Sequence, residues 1–366
     1  MRILHIVPHL SKGGAEKVVI ELANEMAARG HQVNVLLGHQ VDPELNQKNL
    51  SRSINFGFVG LTPRFKFQTY TRIFQFIRRN PKVFQDYNII HCHLTYGFLF
   101  GIGLRFFGLR KQLGDLSLVF TDHSVGVKIN RIKQSMFRLS PIFFDKVILV
   151  AVDNYWAKEI LGKKRLKIAF VPNGINTQGT PLRNGKSTSN YSYEVGTISR
   201  LVPERNPILF LELVEKLNAK SISTIRFKLG GEGPERALLK SASTKLGLDS
   251  SLHFFGVVSD PNDFLSDVCV YVTLCVREIS GMAGLEAVLA GVPVVGIQLD
   301  QTYETKNEDW IFSSASIDRV SERISQLLSS PDLRAATVSD QTRYIFDNLT
   351  IQRMADSYLN VYSLNA

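Results

Sequence analysis

REISGMAGLEAVLAGVPVVG, residues 277–296, reads as a loop, a short helix and the start of a strand. Ahead of it, VCVYVTLCV (268–276) is β-branched and apolar throughout, the pattern of a parallel strand buried on both faces. Ser280 is placed to cap a helix with Leu285, Val288 and Leu289 on one side, Gly291 just past its end and Pro293 barring continuation. The segment VPVVGI then makes a second buried strand. Loop and helix N-terminus therefore belong at the carboxyl end of a strand, where open α/β sheets bind ligands. The amides of Ser280, Gly281, Met282 and Ala283, with the helix dipole behind them, favour an anion. Glu278 and Glu286, with seven residues between them, suit hydroxyl donors such as sugars. The pairing points to a sugar phosphate; the plainer alternative is an ordinary β-loop-α unit with two solvated glutamates.

A chain of 366 residues, 44% of them hydrophobic, is large enough for two domains. Cys92, Cys269 and Cys275 are scattered through apolar runs without metal spacing and read as buried thiols of a reducing compartment. The start MRILHIVPHL lacks a long apolar core, so no signal peptide is expected, and Arg105 interrupts the longest apolar run, YGFLFGIGLRFFGL (96–109). A cytoplasmic location is expected, with peripheral attachment to the inner face of the membrane as an option. The net charge of +10 is uneven: residues 1–180 hold 25 Lys/Arg against 11 Asp/Glu, residues 181–366 hold 18 against 22. That asymmetry gives the first half an anionic surface as candidate partner.

RILHIVPHL, SKGGAEK, an apolar stripe through Val18, Val19, Leu22, Ala23 and Met26, and VNVLLG make a strand-loop-helix-strand opening. The loop has only Gly13 and Gly14, so the dinucleotide fingerprint G-x-G-x-x-G is absent. In 62–82, Arg64, Lys66, Arg72, Arg78, Arg79 and Lys82 interleave with Phe65, Phe67, Phe74 and Phe76. As a helix, Ile73, Phe74, Phe76 and Ile77 face one way, either onto anionic lipid or onto the protein's own core. No nucleic-acid fold signature accompanies the charge, and no nucleic-acid partner is expected. His91 and His93 share one face of a strand, yet no third ligand stands nearby in sequence, so no metal is expected. LVFTDHSVG carries His123 out of another strand. Residues 177–193 are a polar linker in which RNGKST has the wrong glycine spacing for a phosphate-binding P-loop. YEVGTISRLVPERNP then delivers Arg200 and Arg205, and TIRFKLGGEGPER delivers Gly231 and Gly233 after a further strand.

Glu278, seven residues, then Glu286 in an EAxxxGxPVV frame resembles the nucleotide-sugar motif of family 4 glycosyltransferases. The ordered elements across nearly the whole chain strengthen the likeness. The resemblance implies an α/β protein of the GT-B fold: two Rossmann-like domains with parallel sheets facing across a cleft and a C-terminal helix returning to the first domain. The expected boundaries are 1–176, a linker 177–192, 193–345, and a returning helix 346–366. It implies a retaining, metal-independent transferase without cofactor, moving a sugar from a UDP- or GDP-sugar to a glycan or lipid-linked acceptor in cell-surface polysaccharide or lipopolysaccharide synthesis. Two other classes stay open, a sugar-nucleotide epimerase of the same fold and a catalytically idle binding subunit.

By the same resemblance, Arg200 and Arg205 grip the diphosphate, Glu286 holds the ribose and Glu278 the donor sugar. His123 is similar to the family's donor-side histidine, Gly13 and Gly14 approach acceptor or phosphate, and Gly231 and Gly233 leave room for the nucleotide. The chain departs from the family at Ile279-Ser280-Gly281, where Gly-Phe-Gly is usual, at Ser199 and Arg205, where Gly and Lys are usual, and at Asn176, where Asp is usual. The bland reading of each remains: turn glycines at 13 and 14, surface arginines at 200 and 205, a polar loop histidine at 123.

Overall fold

The computed structural model describes residues 1–10, 13–39, 49–61, 67–107, 116–123, 131–150, 168–177, 193–220, 225–274, 281–298, 311–313 and 317–363. Contacts divide the chain into two units, one of Met1–Ser124, Ile129–Asn176 and Ile351–Ala366, the other of Val125–Lys128 and Thr177–Thr350.

The first unit opens with β1 (Arg2–Val7), α1 (Gly14–Ala28) and β2 (Gln32–Leu37). Helix α1 buries Val18, Val19, Leu22, Ala23 and Met26, a stripe at helical spacing that lies on the sheet, and the helix stops where Gly30 takes φ +83°. There follow β3 (Asn55–Phe58), α2 (Phe67–Arg79), β4 (Ile89–His93), α3 (Leu94–Phe106), β5 (Ser117–Asp122), α4 (Arg131–Arg138), α5 (Ser140–Phe143), β6 (Lys146–Leu149) and β7 (Ile168–Phe170). All pair in parallel, in the order β3-β2-β1-β4-β5-β6-β7. Strand β4 is buried along its whole length, as helices on both faces of a parallel sheet require. The apolar run that comes nearest to a membrane span in the sequence is α3, whose Phe98, Phe100 and Leu104 fill this core. No helix among the described residues is long and apolar enough to cross a membrane.

The second unit contains β8 (Tyr193–Ile198), α6 (Ile208–Asn218), β9 (Ile225–Gly230), α7 (Arg236–Lys245), β10 (Leu252–Gly256), α8 (Pro261–Leu265), β11 (Val270–Leu274), α9 (Met282–Leu289), β12 (Val294–Gln298), β13 (Ile311–Ser313), α10 (Ile317–Ser329) and α11 (Pro331–Asn348). Its parallel sheet runs β10-β9-β8-β11-β12-β13, which repeats the order of the first unit from its own first strand. Phe210, Leu213, Phe227, Val270, Val272 and Ile324 form its core. Helix α11 is capped by the Ser330 hydroxyl, which accepts the Leu333 N–H at 3.2 Å.

The last helix, α12 (Ile351–Ser363), belongs to the first unit. It buries Ile351, Met354, Ala355, Tyr358, Val361 and Tyr362. The Ile351 N–H donates to the Ile175 carbonyl at 2.9 Å, the Gly174 N–H to Met354 Sδ at 3.1 Å, and Arg29 of α1 pairs with Asp356. A helix returning to the first domain, expected from the resemblance, is therefore present.

One local expectation changes, and one choice left open by the sequence is decided. The N-cap of α9 is Gly281, in extended conformation and without a side-chain cap, rather than Ser280. The apolar face of α2 is spent on the core: Ile73 and Ile77 are fully buried, and Phe76 packs on Phe84 and Phe100. The strand through His93 ends there, because Leu94 already starts a helix. Cys92 and Cys269 are buried free thiols as expected. Cys275, Arg64, Lys66 and the linker from 178 to 192 lie outside the described residues.

Candidate functional site

In each sheet the connections reverse direction beside the first strand, between β1 and β4 and between β8 and β11. Doubly wound sheets take ligands in the crevice at the carboxyl ends of such strands. Several of the chemistry-bearing residues read from the sequence, Gly13 and Gly14 after β1, Arg200 and Arg205 after β8 and residues 281–286 after β11, follow strands at these two places.

In the second unit, Arg200 follows β8 and is exposed, while Arg205 ends a 3₁₀ turn over Pro203–Arg205 and is half-buried. Asn206 behind it takes φ +44°, a left-handed conformation that asparagine tolerates. Gly281, Met282 and Ala283 form the N-terminal end of α9, with Gly281 beside Thr273 of β11. Glu286 stands half-buried one turn further on. Sequence reasoning missed Tyr271, at the centre of this group. Its phenol accepts the Ile198 N–H at 3.1 Å and donates to the Ile198 carbonyl at 3.2 Å. Burial raises its pKa, the hydrogen bonds to Ile198 oppose the rise, the Glu286 carboxylate adds to it and the Arg205 guanidinium subtracts. Glu286 and Arg205, far apart in sequence, thus act on one hydroxyl. A tyrosine inside a wholly buried strand needs a partner for its hydroxyl, and that was the signal available in VCVYVTLCV. Glu278 and Ser280 lie outside the described residues.

Gly231 and Gly233 have a reason of their own. The loop after β8 and the loop after β9 are joined through backbone: Ser199 N–H to Gly230 O, Leu201 N–H to Glu232 O and Glu235 N–H to Leu201 O, each at 3.0 Å. A Cβ on Gly231 would stand 1.8 Å from the Ser199 carbonyl oxygen, and one on Gly233 2.2 Å from that of Leu201. Gly231 also holds φ +126°. These glycines fix the loop that carries Arg200 and Arg205.

In the first unit, Gly13 is the extended N-cap of α1, and Gly14 begins the helix, exposed. The Glu16 carboxylate folds back over this end: a Cβ on Gly13 would meet Glu16 Oε2 at 2.1 Å, the placement of a glutamate in a capping box. His9 Nδ1 lies 3.7 Å from the same carboxylate. At the ends of β1, β4 and β5 the structure gathers His5, His91, His93 and His123. His5 Nδ1 is 2.9 Å from His93 Nε2, and His93 Nδ1 is 3.0 Å from His123 Nε2. His91 is held separately, Nε2 to Thr121 Oγ1 at 2.7 Å and Nδ1 to Tyr362 Oη of α12 at 2.6 Å. Burial depresses all four rings, His5 to about 3 and His123 to about 4, so they are neutral at pH 7.

The reading that His91 and His93 lack a third partner is corrected by His5. The ligand atoms of the three lie within 4.8 Å of one another, close enough to hold a metal ion. Both nitrogens of His91 and both of His93 already carry hydrogen bonds, which a metal would have to displace. His5 was legible only as a polar residue in the apolar run RILHIV.

Residues 12–178 match the sequence pattern of Glycosyltransferase Family 4, and residues 183–343 that of Glycosyl transferases group 1. Among curated proteins, the chain is 23% identical over 173 residues to the poly(ribitol-phosphate) alpha-N-acetylglucosaminyltransferase of Staphylococcus aureus (strain COL), covering 46% of this chain and 35% of that protein. It is 27% identical over 317 residues to the phosphatidyl-myo-inositol mannosyltransferase of Mycobacterium leprae (strain TN), covering 82% of this chain and 79% of that one. Among solved structures, Anabaena HepE in complex with UDP and glucose superposes with a TM-score of 0.75 at 17% identity over the full length of both chains. That likeness shows the fold, and the two sequence patterns cover one unit each, in the order the resemblance requires. The chain belongs to glycosyltransferase family 4, with the GT-B type of fold.

Proposed function

We propose that this protein transfers a sugar from a nucleotide-sugar donor, UDP- or GDP-linked, to a glycan or lipid-linked acceptor in cell-surface polysaccharide or lipopolysaccharide synthesis, with retention of anomeric configuration and without a metal or other cofactor. The observation that carries the reading is that Arg200 and Arg205 follow β8 while the N-terminal end of α9 and Glu286 follow β11, the two strands that flank the switch point of the second unit. A fixed cation and a carboxylate at one crevice match a ligand with a diphosphate and vicinal hydroxyls. In this reading Arg200, Arg205 and the amides of Gly281–Ala283 stabilise the leaving diphosphate as the glycosidic bond breaks. Glu286 accepts hydrogen bonds from the ribose, and Glu278 with Ser280 contacts the donor sugar. UDP is the favoured nucleotide, because the full-length structural counterpart from Anabaena was solved with UDP.

The first unit supplies the acceptor surface and His123. Glu16 already answers the N-terminus of α1, so the Gly13–Gly14 loop suits a hydroxyl-bearing acceptor better than a phosphate. The relatives are named for polymeric and phosphatidylinositol acceptors. With the excess of Lys/Arg in residues 1–180, they support a lipid-linked or membrane-bound acceptor and peripheral attachment to an anionic membrane face.

Thermal unfolding in the presence of UDP, GDP, ADP and their sugar conjugates tests the site. A ligand that binds only the folded state raises the midpoint by mass action, about 2.7 kcal/mol of stabilisation at a hundredfold excess over Kd. The expected result is a shift with one nucleotide series that Glu286→Ala and Arg200→Ala both abolish. A shift with none turns the reading to the idle binding subunit, which the Ile279-Ser280-Gly281 loop favours. Conversion of the labelled donor to an epimeric sugar-nucleotide, without transfer to any acceptor, turns it to the epimerase.

A further inference from the structure

Three imidazoles of the first unit are arranged as a row. His123 Nε2 meets His93 Nδ1, and His93 Nε2 meets His5 Nδ1. The row has two ends, His123 Nδ1 and His5 Nε2. Both are buried and both lack a hydrogen-bond partner among the described residues. His91 lies against His93, ring centroids 3.9 Å apart and planes tilted by 42°, but takes no part, since Thr121 and Tyr362 hold its nitrogens.

The backbone holds His93 in place. Leu94, immediately after it, takes φ +60°, an outlier for a leucine and a cost that the surroundings must offset. One turn later, a Cβ on Gly97 would stand 2.9 Å from the carbonyl carbon of Cys92 and 3.0 Å from the Ile6 oxygen. The first turn of α3 is thus pressed onto the ends of β1 and β4. The backbone at His93 cannot shift without moving this junction.

A neutral imidazole has one N–H and one lone pair, so each ring fixes the tautomer of the next. If His123 donates from Nε2, His93 must donate from Nε2 to His5, and His5 keeps its proton on Nε2. If the direction reverses, all three protons sit on Nδ1. Interconversion adds one proton at one end of the row and removes one at the other, leaving every ring neutral.

We propose that His5, His93 and His123 form a single tautomer-coupled row in which His93 is a positioning residue for His123, leaving His123 Nδ1, at one end of the row, to meet a ligand. His5, which does not bond to His123, sets whether that atom donates or accepts. A ligand hydroxyl whose oxygen accepts from His123 selects the Nδ1–H state of all three rings; one that donates selects the Nε2–H state. The consequence for catalysis rests on the glycosyltransferase reading, whereas the tautomer coupling does not.

The test is long-range proton–nitrogen NMR of the full chain labelled with ¹⁵N-histidine, without ligand, at neutral pH. The three rings are expected to report the same tautomer. A mixed set, or a protonated ring, overturns the proposal. His5→Phe is expected to shift the ring nitrogens of His123; unchanged His123 signals also overturn it. Should that variant fail to fold, His5→Asn keeps polarity at the same place and serves instead. In a transfer assay, His93→Phe is expected to lower kcat about tenfold with donor KM unchanged, and His93→Gln to recover part of it, the scale seen for partners that orient functional imidazoles. A KM effect alone contradicts the positioning role. If no sugar transfer is found with any donor, the catalytic reading falls while the NMR result still decides the row.

Discussion

Tyr271 Oη bonds to both the N–H and the carbonyl of Ile198, at 3.1 and 3.2 Å. One hydroxyl of β11 thereby ties down the last residue of β8, from which the loop with Arg200 and Arg205 departs. Tyr271→Phe removes both bonds inside the core, and a buried polar group left without a partner costs about 1–3 kcal/mol. The expected outcome is a lower denaturation midpoint together with weaker binding of the nucleotide that stabilises the parent protein. A variant with normal nucleotide affinity would show that the phenol is structural only.

Two glycines separate backbone conformation from steric fit. Gly30 and Gly231 both hold positive φ, +83° and +126°. A Cβ on Gly30 meets nothing within 4 Å, whereas one on Gly231 would lie 1.8 Å from the Ser199 oxygen. Gly30→Ala is expected to cost about 1 kcal/mol, the conformational penalty alone. Gly231→Ala is expected to cost at least about 3 kcal/mol or to prevent folding, because the loop joined to Ser199 and Leu201 must open. Equal losses in urea denaturation would contradict the close approach of these loops.

Acid should weaken the first unit. The folded-state pKa values of His5 and His123 are depressed to about 3 and about 4, from a usual 6.5, by burial. Between those values the unfolded chain binds protons that the folded chain does not, so stability falls as pH drops below about 6.5. The fully buried His5 ring contributes a slope of up to about 1.4 kcal/mol per pH unit in that window, and the part-buried His123 ring less. The denaturant midpoint is therefore expected to decline between about pH 7 and pH 5, and less steeply in His5→Gln, which cannot titrate. A flat profile in the parent protein would mean that these rings are hydrated.

The fold was legible because its strands are unbroken apolar runs and its helices carry clean stripes. Val18, Val19, Leu22, Ala23 and Met26 are buried as their spacing requires, and Gly291 follows α9 at φ +78°. The residues that give the sites their geometry were harder to see. His5 and His93 are 88 positions apart and meet only because β1 and β4 are neighbours in the sheet. Tyr271 meets Ile198 across 73 positions for the same kind of reason. Local spacing carries no information on such pairs. The α2 face was left open in another way: periodicity reports that a face is apolar, not whether core or solvent covers it, and here α3 lies against Phe74 and Ile77.

The apolar surface that α2 does not provide is found next to it. Phe106 at the end of α3 and Ile142 on α5 are 74% and 63% exposed, with Phe107 and Leu139 also exposed. Ring pairs connect them to their surroundings, Phe74 with Phe107 at 5.9 Å and Phe106 with Phe143 at 6.4 Å. Arg72, Arg78 and Arg79 of α2 are exposed as well. Apolar side chains with basic neighbours bind anionic bilayers through two terms, burial in the acyl boundary and about 1 kcal/mol for each cation near the surface. Flotation with vesicles containing anionic lipid is expected to recover the parent protein. Phe106→Asp with Ile142→Asp should remove the apolar term, and Arg72→Glu with Arg78→Glu and Arg79→Glu the electrostatic one. Loss in the second set only, reproduced by raised salt, would mean that charge alone holds the protein at the bilayer. Unchanged flotation in both would place the membrane contact elsewhere on the chain.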